Sequence, residues 1–385
     1  MSMRLSILLV AVVLLLGACT TATQEPARLV IVDGDGAIVT MDEDGANPVT
    51  VAESDLGSFF QPVWSPDGNF IASSLSATES SIHVANVASG MTYSLATDSF
   101  PFYFSWAPTN QLAILRNGEN GLRLDTTSVG NEALEDLETL ETGQPLYYSW
   151  SPDGLALIAH IGGDQLVLND LATSASLGVS PGFFQAPRWT EEGIIAMEQG
   201  ESEQRLVLVT TEGESTPIAT VTGPATFVAN GDGSLVAVQS VNQDQNATSA
   251  AFQQLPRLPA NRLVVVNTGN GEHQAVTTEP VLAYSWSPVD DHLLVLDIVP
   301  GPQARWSVWT DEGLEEVIRF DPEPSFITQF VPFFDQYAQS ASLWAPDGSA
   351  FAFPGSVDGE SGIWVHPIEG DPTRISAGTW VSWAP

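Results

Sequence analysis

Trp64-Ser-Pro-Asp-Gly68 returns as Trp150-Ser-Pro-Asp-Gly154 and again as Trp344-Ala-Pro-Asp-Gly348. Looser copies stand at Trp106-Ala-Pro-Thr-Asn110, Trp189-Thr-Glu-Glu-Gly193 and Trp286-Ser-Pro-Val-Asp290. Aligning on the Asp-Gly pair adds Ala229-Asn-Gly-Asp-Gly233, where the tryptophan has become alanine, and the sequence stops on Trp383-Ala-Pro385, half a copy. Successive copies lie 42, 44, 39, 40, 57, 58 and 39 residues apart, and seven of the eleven tryptophans fall in the column. The motif reads as strand, tight turn, strand. Proline presets φ at the second turn position, aspartate accepts a local backbone hydrogen bond, and glycine takes the left-handed position that closes the hairpin. Asn110 replaces that glycine with the next most tolerant residue.

An apolar strand follows each turn, as in Phe70-Ile-Ala-Ser, Leu155-Ala-Leu-Ile-Ala and Ala350-Phe-Ala-Phe. A third follows, as in Ser81-Ile-His-Val-Ala-Asn, Arg205-Leu-Val-Leu-Val and Gly362-Ile-Trp-Val-His, and a weaker fourth closes the unit. Four antiparallel strands in about 40 residues, repeated, form one blade of a β-propeller. Residues 28–53 supply strands two to four of a blade without a first, and residues 378–385 supply only a first. Pairing them makes a composite blade held by both ends of the domain. The sequence therefore predicts an all-β, monomeric propeller over residues 28–385 with eight blades. Seven is the alternative, because the Ala229 copy is degenerate.

These repeats resemble the TolB-like family of WSPDG propellers over nearly the whole of residues 28–385. The resemblance implies the fold and a binding platform, and it does not imply an activity. TolB itself pairs its propeller with an N-terminal α/β domain, for which there is no room here. A hydrolase domain of the prolyl-oligopeptidase or dipeptidyl-peptidase kind is likewise absent. No Gly-x-Ser-x-Gly elbow occurs; Gly359-Glu-Ser-Gly-Ile363 departs at its last position. The five histidines (His83, His160, His273, His292, His366) show no metal spacing, although lyases built on related propellers carry a clustered histidine site. Val32-Asp-Gly-Asp-Gly36 begins like a calcium loop and lacks the twelfth-position glutamate. No cofactor, metal or catalytic residue is predicted.

The first residues carry a different message. Arg4 precedes an apolar run, Leu5 to Leu16, of 12 residues, too short for the ~20 that span a bilayer as a helix. The run ends in Leu16-Gly17-Ala18-Cys19, which holds the only cysteine. This resembles a bacterial lipoprotein signal with its lipobox. The resemblance implies a signal peptide over 1–18, lipidation of Cys19, and a polar tether over 19–27. Two or three acyl chains anchor a protein stably where one does not. Residue 20 is Thr rather than the Asp of inner-membrane retention, which favours an outer membrane where the host has one. An extracytoplasmic, lipid-anchored location follows, periplasmic or surface-exposed.

Charge narrows the partners. The chain has 47 acidic residues and 11 basic ones, all arginine, for a net charge of −36. Such a surface repels phosphate backbones and anionic lipid, which excludes nucleic-acid binding and a polybasic membrane grip. The bound partner is predicted to be another envelope protein or peptide, or a cell-wall or polysaccharide ligand, cationic or neutral.

Strand alternation locates the site. The turns joining strands one to two and three to four share one face; the two-to-three loops and blade-to-blade connections share the other. Two long insertions, 240–261 and 321–342, belong to that second face. The latter carries Phe326, Phe330, Phe333, Phe334 and Tyr337 at the spacing of a short amphipathic helix, a lid or a plug. Segments entering the first strands add Phe59, Phe60, Phe100, Phe102, Tyr147, Phe183 and Phe184. The candidate contact residues are thus Phe59, Phe60, Phe102, Phe183, Phe184, Phe330, Phe333, Phe334 and Tyr337, around an aromatic channel mouth. Acidic loops on the same face (Asp33, Asp35, Glu79, Glu119, Asp164, Glu201, Glu203, Asp358, Glu360) support a rival reading as a hydrolase or lyase of polysaccharide or peptide. A structural subunit of an envelope assembly is the third reading.

Overall fold

A computed structural model describes residues 28–130, 133–163, 165–200, 203–241 and 255–385. Cys19 and its tether lie outside the described residues, as do Asp164, Glu201 and most of the 240–261 insertion. Among the described residues no helix is long and apolar enough to cross a membrane.

Eight blades surround a central channel. The innermost strands of blades 1 to 6 are Ser58–Trp64, Pro101–Trp106, Leu146–Trp150, Arg188–Thr190, Ala225–Ala229 and Val281–Trp286. Blade 7 has a minimal inner strand, where Ala352 donates to the Leu343 carbonyl at 2.8 Å and Trp344 bridges Phe351. Blade 8 is the predicted composite: Trp380–Trp383 pairs antiparallel with Arg28–Val32, Leu29 facing Trp383 and Val32 facing Trp380. The degenerate copy at Ala229 still builds a full four-stranded blade, so eight is correct and seven is not.

The repeated residues act as the sequence suggests. In blade 3 the Ser151 hydroxyl donates to Asp153 at 2.6 Å and the Leu155 amide donates to the same carboxylate at 3.0 Å. Those donors hold the Asp153 carboxyl below its usual range. Gly154 sits at φ +68°, and a Cβ there would also lie 3.0 Å from Pro108 of the neighbouring blade. Only glycine meets both demands without strain. Asn110 adopts φ +63°, as its replacement of glycine requires. The column tryptophans staple blades together. Trp106, Trp150, Trp286 and Trp344 donate to the carbonyls of Val63, Ser105, Val228 and Ser285, each the residue before the motif position in the preceding blade. Tryptophan suits this role because a wide apolar ring fills the inter-blade gap while its N–H finds a partner.

The two insertions behave differently from each other. The described end of the first runs along the outermost strand of blade 4, Ser215–Val221: Thr220 donates to the Pro256 carbonyl at 2.8 Å and Leu258 donates to the Thr220 carbonyl at 2.9 Å. That part covers a sheet edge and does not stand over the channel, contrary to expectation. The second insertion continues the outer strand of blade 6, Gly313–Pro322, which reaches blade 7 by pairing Asp321 with Ser356. It then crosses the channel.

Candidate functional site

The crossing segment is helical but not one helix. A π-turn, Phe326–Phe330, passes into a 3₁₀ turn, Val331–Phe333, and then one α-turn, Phe334–Tyr337. Pro332 has no N–H to give, so the hydrogen-bond register changes around it. Phe326, Phe330, Phe334 and Tyr337 nevertheless fall on one buried face. Phe330 stacks on Phe326 and Tyr337 at 5.0 and 5.2 Å, and both Phe330 and Tyr337 meet Trp380 of the closing strand edge-on. Phe334 packs against Tyr284 of blade 6 at 4.7 Å.

Polar contacts fix this plug to the opposite side of the ring. The Gln336 side chain is an amide that imitates a strand. It accepts from the Tyr148 amide at 3.0 Å and donates to the Tyr148 carbonyl at 2.9 Å and the Tyr103 hydroxyl at 3.0 Å. The Tyr103 hydroxyl in turn donates to the Gln336 carbonyl at 2.9 Å. Asp335 accepts from the Ala186 amide of blade 4 at 3.2 Å, and burial pushes its carboxyl up to about 6. The insertion thus binds blades 2, 3, 4, 6 and 8 at once. It is a plug.

Between the plug and blades 1 to 4 lies a cavity of about 610 Å³. Phe60, Phe100, Phe102, Tyr147, Phe184 and Phe333 form its aromatic wall, and Gln61, Asn117, Thr328 and Gln336 are among its polar groups. Among the described residues no carboxylate, histidine or cysteine lines it. Gln61 is held at φ +51° where its strand slips register between Phe60 and Val63. A left-handed non-glycine residue is costly and is found where function or packing over-determines it.

Five candidate residues from the sequence, Phe60, Phe102, Phe184, Phe333 and Tyr337, meet at this cavity. Four do not. Phe59 is 2% exposed and packs edge-on against His83, because the alternation of its strand turns it into the blade. Phe330 and Phe334 are interior plug residues, which corrects their expected place on a contact surface. Phe183 is half exposed and stands outside the lining. Sequence reasoning missed Gln336, Asp335 and Gln61, single polar residues that no periodicity marks.

Among the described residues the acidic loops place no carboxylate in this cavity, although Asp33, Asp35 and Glu323 line a neighbouring one that shares Phe60, Gln61 and Gln329 with it. Asp33 accepts from the Asp35 and Ala37 amides, both at 2.9 Å, so it shapes its own turn. Glu203 pairs with Arg257. Among the described residues no group of three His, Cys, Asp or Glu side chains is placed to hold a metal ion.

No family model matches the chain, and no curated protein matches it in sequence. Solved structures do resemble it. The dihydro-heme d1 dehydrogenase NirN in complex with DHE is 10% identical, with 92% of this chain and 74% of that one covered and a TM-score of 0.60. A eukaryotic initiation factor is 10% identical over 94% of this chain and 99% of that one, with a TM-score of 0.59. TolB from Acinetobacter baumannii is 13% identical over 93% of this chain and 67% of that one; its TM-score of 0.43 is too low to carry an argument. At such identities the likeness is one of fold: a β-propeller, which enzymes and non-enzymes share.

Proposed function

We propose that the chain is a lipid-anchored, non-catalytic receptor at the bacterial cell envelope, and that it captures a protein or peptide partner through the aromatic cavity beside the plug. The observation that carries this reading is the lining itself: a preformed cavity of about 610 Å³, walled by phenylalanines and floored by a hydrogen-bonded plug. Apolar cavities with a few fixed polar groups are where ligands and anchor side chains dock. A hydrolase or lyase would need paired carboxylates at the mouth. A neighbouring cavity of about 280 Å³ includes Asp33, Asp35 and Glu323, of which Asp33 and Glu323 are engaged with backbone amides.

A photo-crosslinking residue tests this in native membranes. Phe333 is 46% exposed at the cavity, and Leu155 is 61% exposed in a turn of the opposite face. The crosslinker at position 333 is expected to trap a discrete protein partner, and at position 155 it is expected to trap none. The Cys19→Ser chain is expected to leave the membrane and lose the crosslink. Identical products from positions 333 and 155 would reject the cavity as the docking site.

A further inference from the structure

The plug divides the channel. On the face carrying the Asp-Gly turns lies a second, separate chamber of about 390 Å³. Its walls combine indole rings and prolines (Trp64, Trp106, Trp286, Trp383, Pro66, Pro288) with the hydroxyl and amide groups of Ser285, Ser287, Gln339, Ser340 and Ser342. Among the described residues one charged side chain lines it, Arg188.

Arg188 is anomalous in two ways. The residue before the motif position in each blade is Val63, Ser105, Ser149, Arg188, Val228, Ser285, Leu343 or Ser382. Val228 and Ser285 of this column line the chamber beside Arg188, while Val63 packs between blades. A single cation therefore interrupts a column of small and apolar side chains. Second, it has no countercharge; Arg28, Arg262 and Arg374 also lack one, but Arg28 donates to Thr40, Arg374 donates to the Ser361 carbonyl, and Arg262 is exposed. Arg116 and Arg123 share Asp98 and Asp125, Arg205 pairs with Glu198, Arg257 with Glu203, and Arg305 and Arg319 with Glu316. Among the described residues Arg188 has neither ion pair nor hydrogen bond, and its buried Nε has no acceptor. The titratable group that acts on it is the Tyr103 phenol, which burial pushes up to about 12 and so leaves neutral. Arginine keeps its proton even when burial lowers its pKa. Arg188 is part-buried and faces the chamber, so its guanidinium is open to an anion that enters there.

We infer that this chamber binds a small organic monocarboxylate with an apolar or aromatic body, its carboxylate forked on Arg188 and its body between the indoles. The guanidinium offers parallel N–H donors that match a carboxylate. The single charged side chain in the lining balances a monoanion and leaves a dianion undercompensated, while neighbouring serines and Gln339 can add neutral hydrogen bonds. The site is independent of the mouth cavity and of what docks there.

Calorimetry with phenylacetate, phenethyl alcohol and phenyl phosphate on the full chain tests the inference. Phenylacetate is expected to bind saturably, at least tenfold more tightly than the neutral alcohol or the phosphate. Arg188→Gln is expected to remove that preference, while Phe102→Ser in the mouth cavity leaves it intact. The indole lining gives a second readout, a change in tryptophan emission on binding. Equal binding of acid and alcohol, no saturable binding of phenylacetate, or a folded Arg188→Gln chain that retains the preference overturns the inference. The acid-to-alcohol comparison on the unaltered chain decides the matter even if the variant fails to fold.

Discussion

Removing residues 380–385 is expected to abolish the folded monomer. The strand Trp380–Trp383 supplies the whole inner edge of blade 8, and Trp380, Val381 and Trp383 are all buried. Truncating one buried tryptophan costs about 3–5 kcal/mol, so losing two plus a four-residue ladder approaches the ~5–15 kcal/mol that holds a whole domain together. The effect reaches further than the strand. Trp380 is the surface on which Phe330 and Tyr337 of the plug rest, and its indole donates to the Pro62 carbonyl of blade 1 at 3.3 Å. Opening the ring also exposes the edge of Arg28–Val32, an invitation to pair with another chain. Size-exclusion chromatography is expected to show aggregate, and calorimetry no cooperative transition. A monomer with an unchanged melting temperature would mean that the clasp is dispensable.

Gln336→Leu is expected to give the second largest loss. Leucine fills much of the volume but strands the Tyr148 amide and removes a donor from the Tyr148 carbonyl, which keeps one from Gln339, and from the Tyr103 hydroxyl. Each buried unpaired group costs about 1–3 kcal/mol, and the Tyr103 hydroxyl keeps one bond to the Gln336 carbonyl. A net destabilisation of about 2–4 kcal/mol follows, on the order of 3–6 °C in Tm for a domain of this size. Crosslinking from position 333 is expected to weaken with it, because the floor of the cavity is then loose. An unaltered Tm would show that the plug is held by its aromatic face alone.

Much of this architecture was legible in the sequence, for reasons that particular residues make plain. The Trp-x-Pro-Asp-Gly turns identify themselves because every atom of the motif has a local task, as the Asp153 hydrogen bonds show. The closure was legible because each end of the domain lacks what the other has. The aromatic mouth was legible in outline, since Phe60 and Phe102 stand at the same point, four residues before the column tryptophan, in blades 1 and 2, with Tyr147 and Phe184 near that point in blades 3 and 4. Within the insertion, spacing alone could not separate Phe333 from Phe334. Pro332 changes the helical register between them, leaving one exposed and the other buried. The lodging of residues 256–258 on blade 4 depends on which sheet edge is free, and no local pattern encodes that. Arg188 did carry a signal, one cation in a column of Ser, Val and Leu, whose meaning depends on knowing that this position of blade 4 borders the chamber.

Both chambers exist only if residues 323–342 stay seated across the channel. Hydrogen–deuterium exchange on the full chain measures that directly. The amides of Ala338, Ser340 and Ala341 donate to Phe334 and Tyr337 carbonyls at 2.8–2.9 Å beneath a buried aromatic face. They are expected to exchange with the slow blade strands, orders of magnitude behind exposed turns such as residues 88–91. Exchange of the 334–341 peptide as fast as those turns would show a mobile lid, and would contradict both the fixed cavity floor and the divided channel.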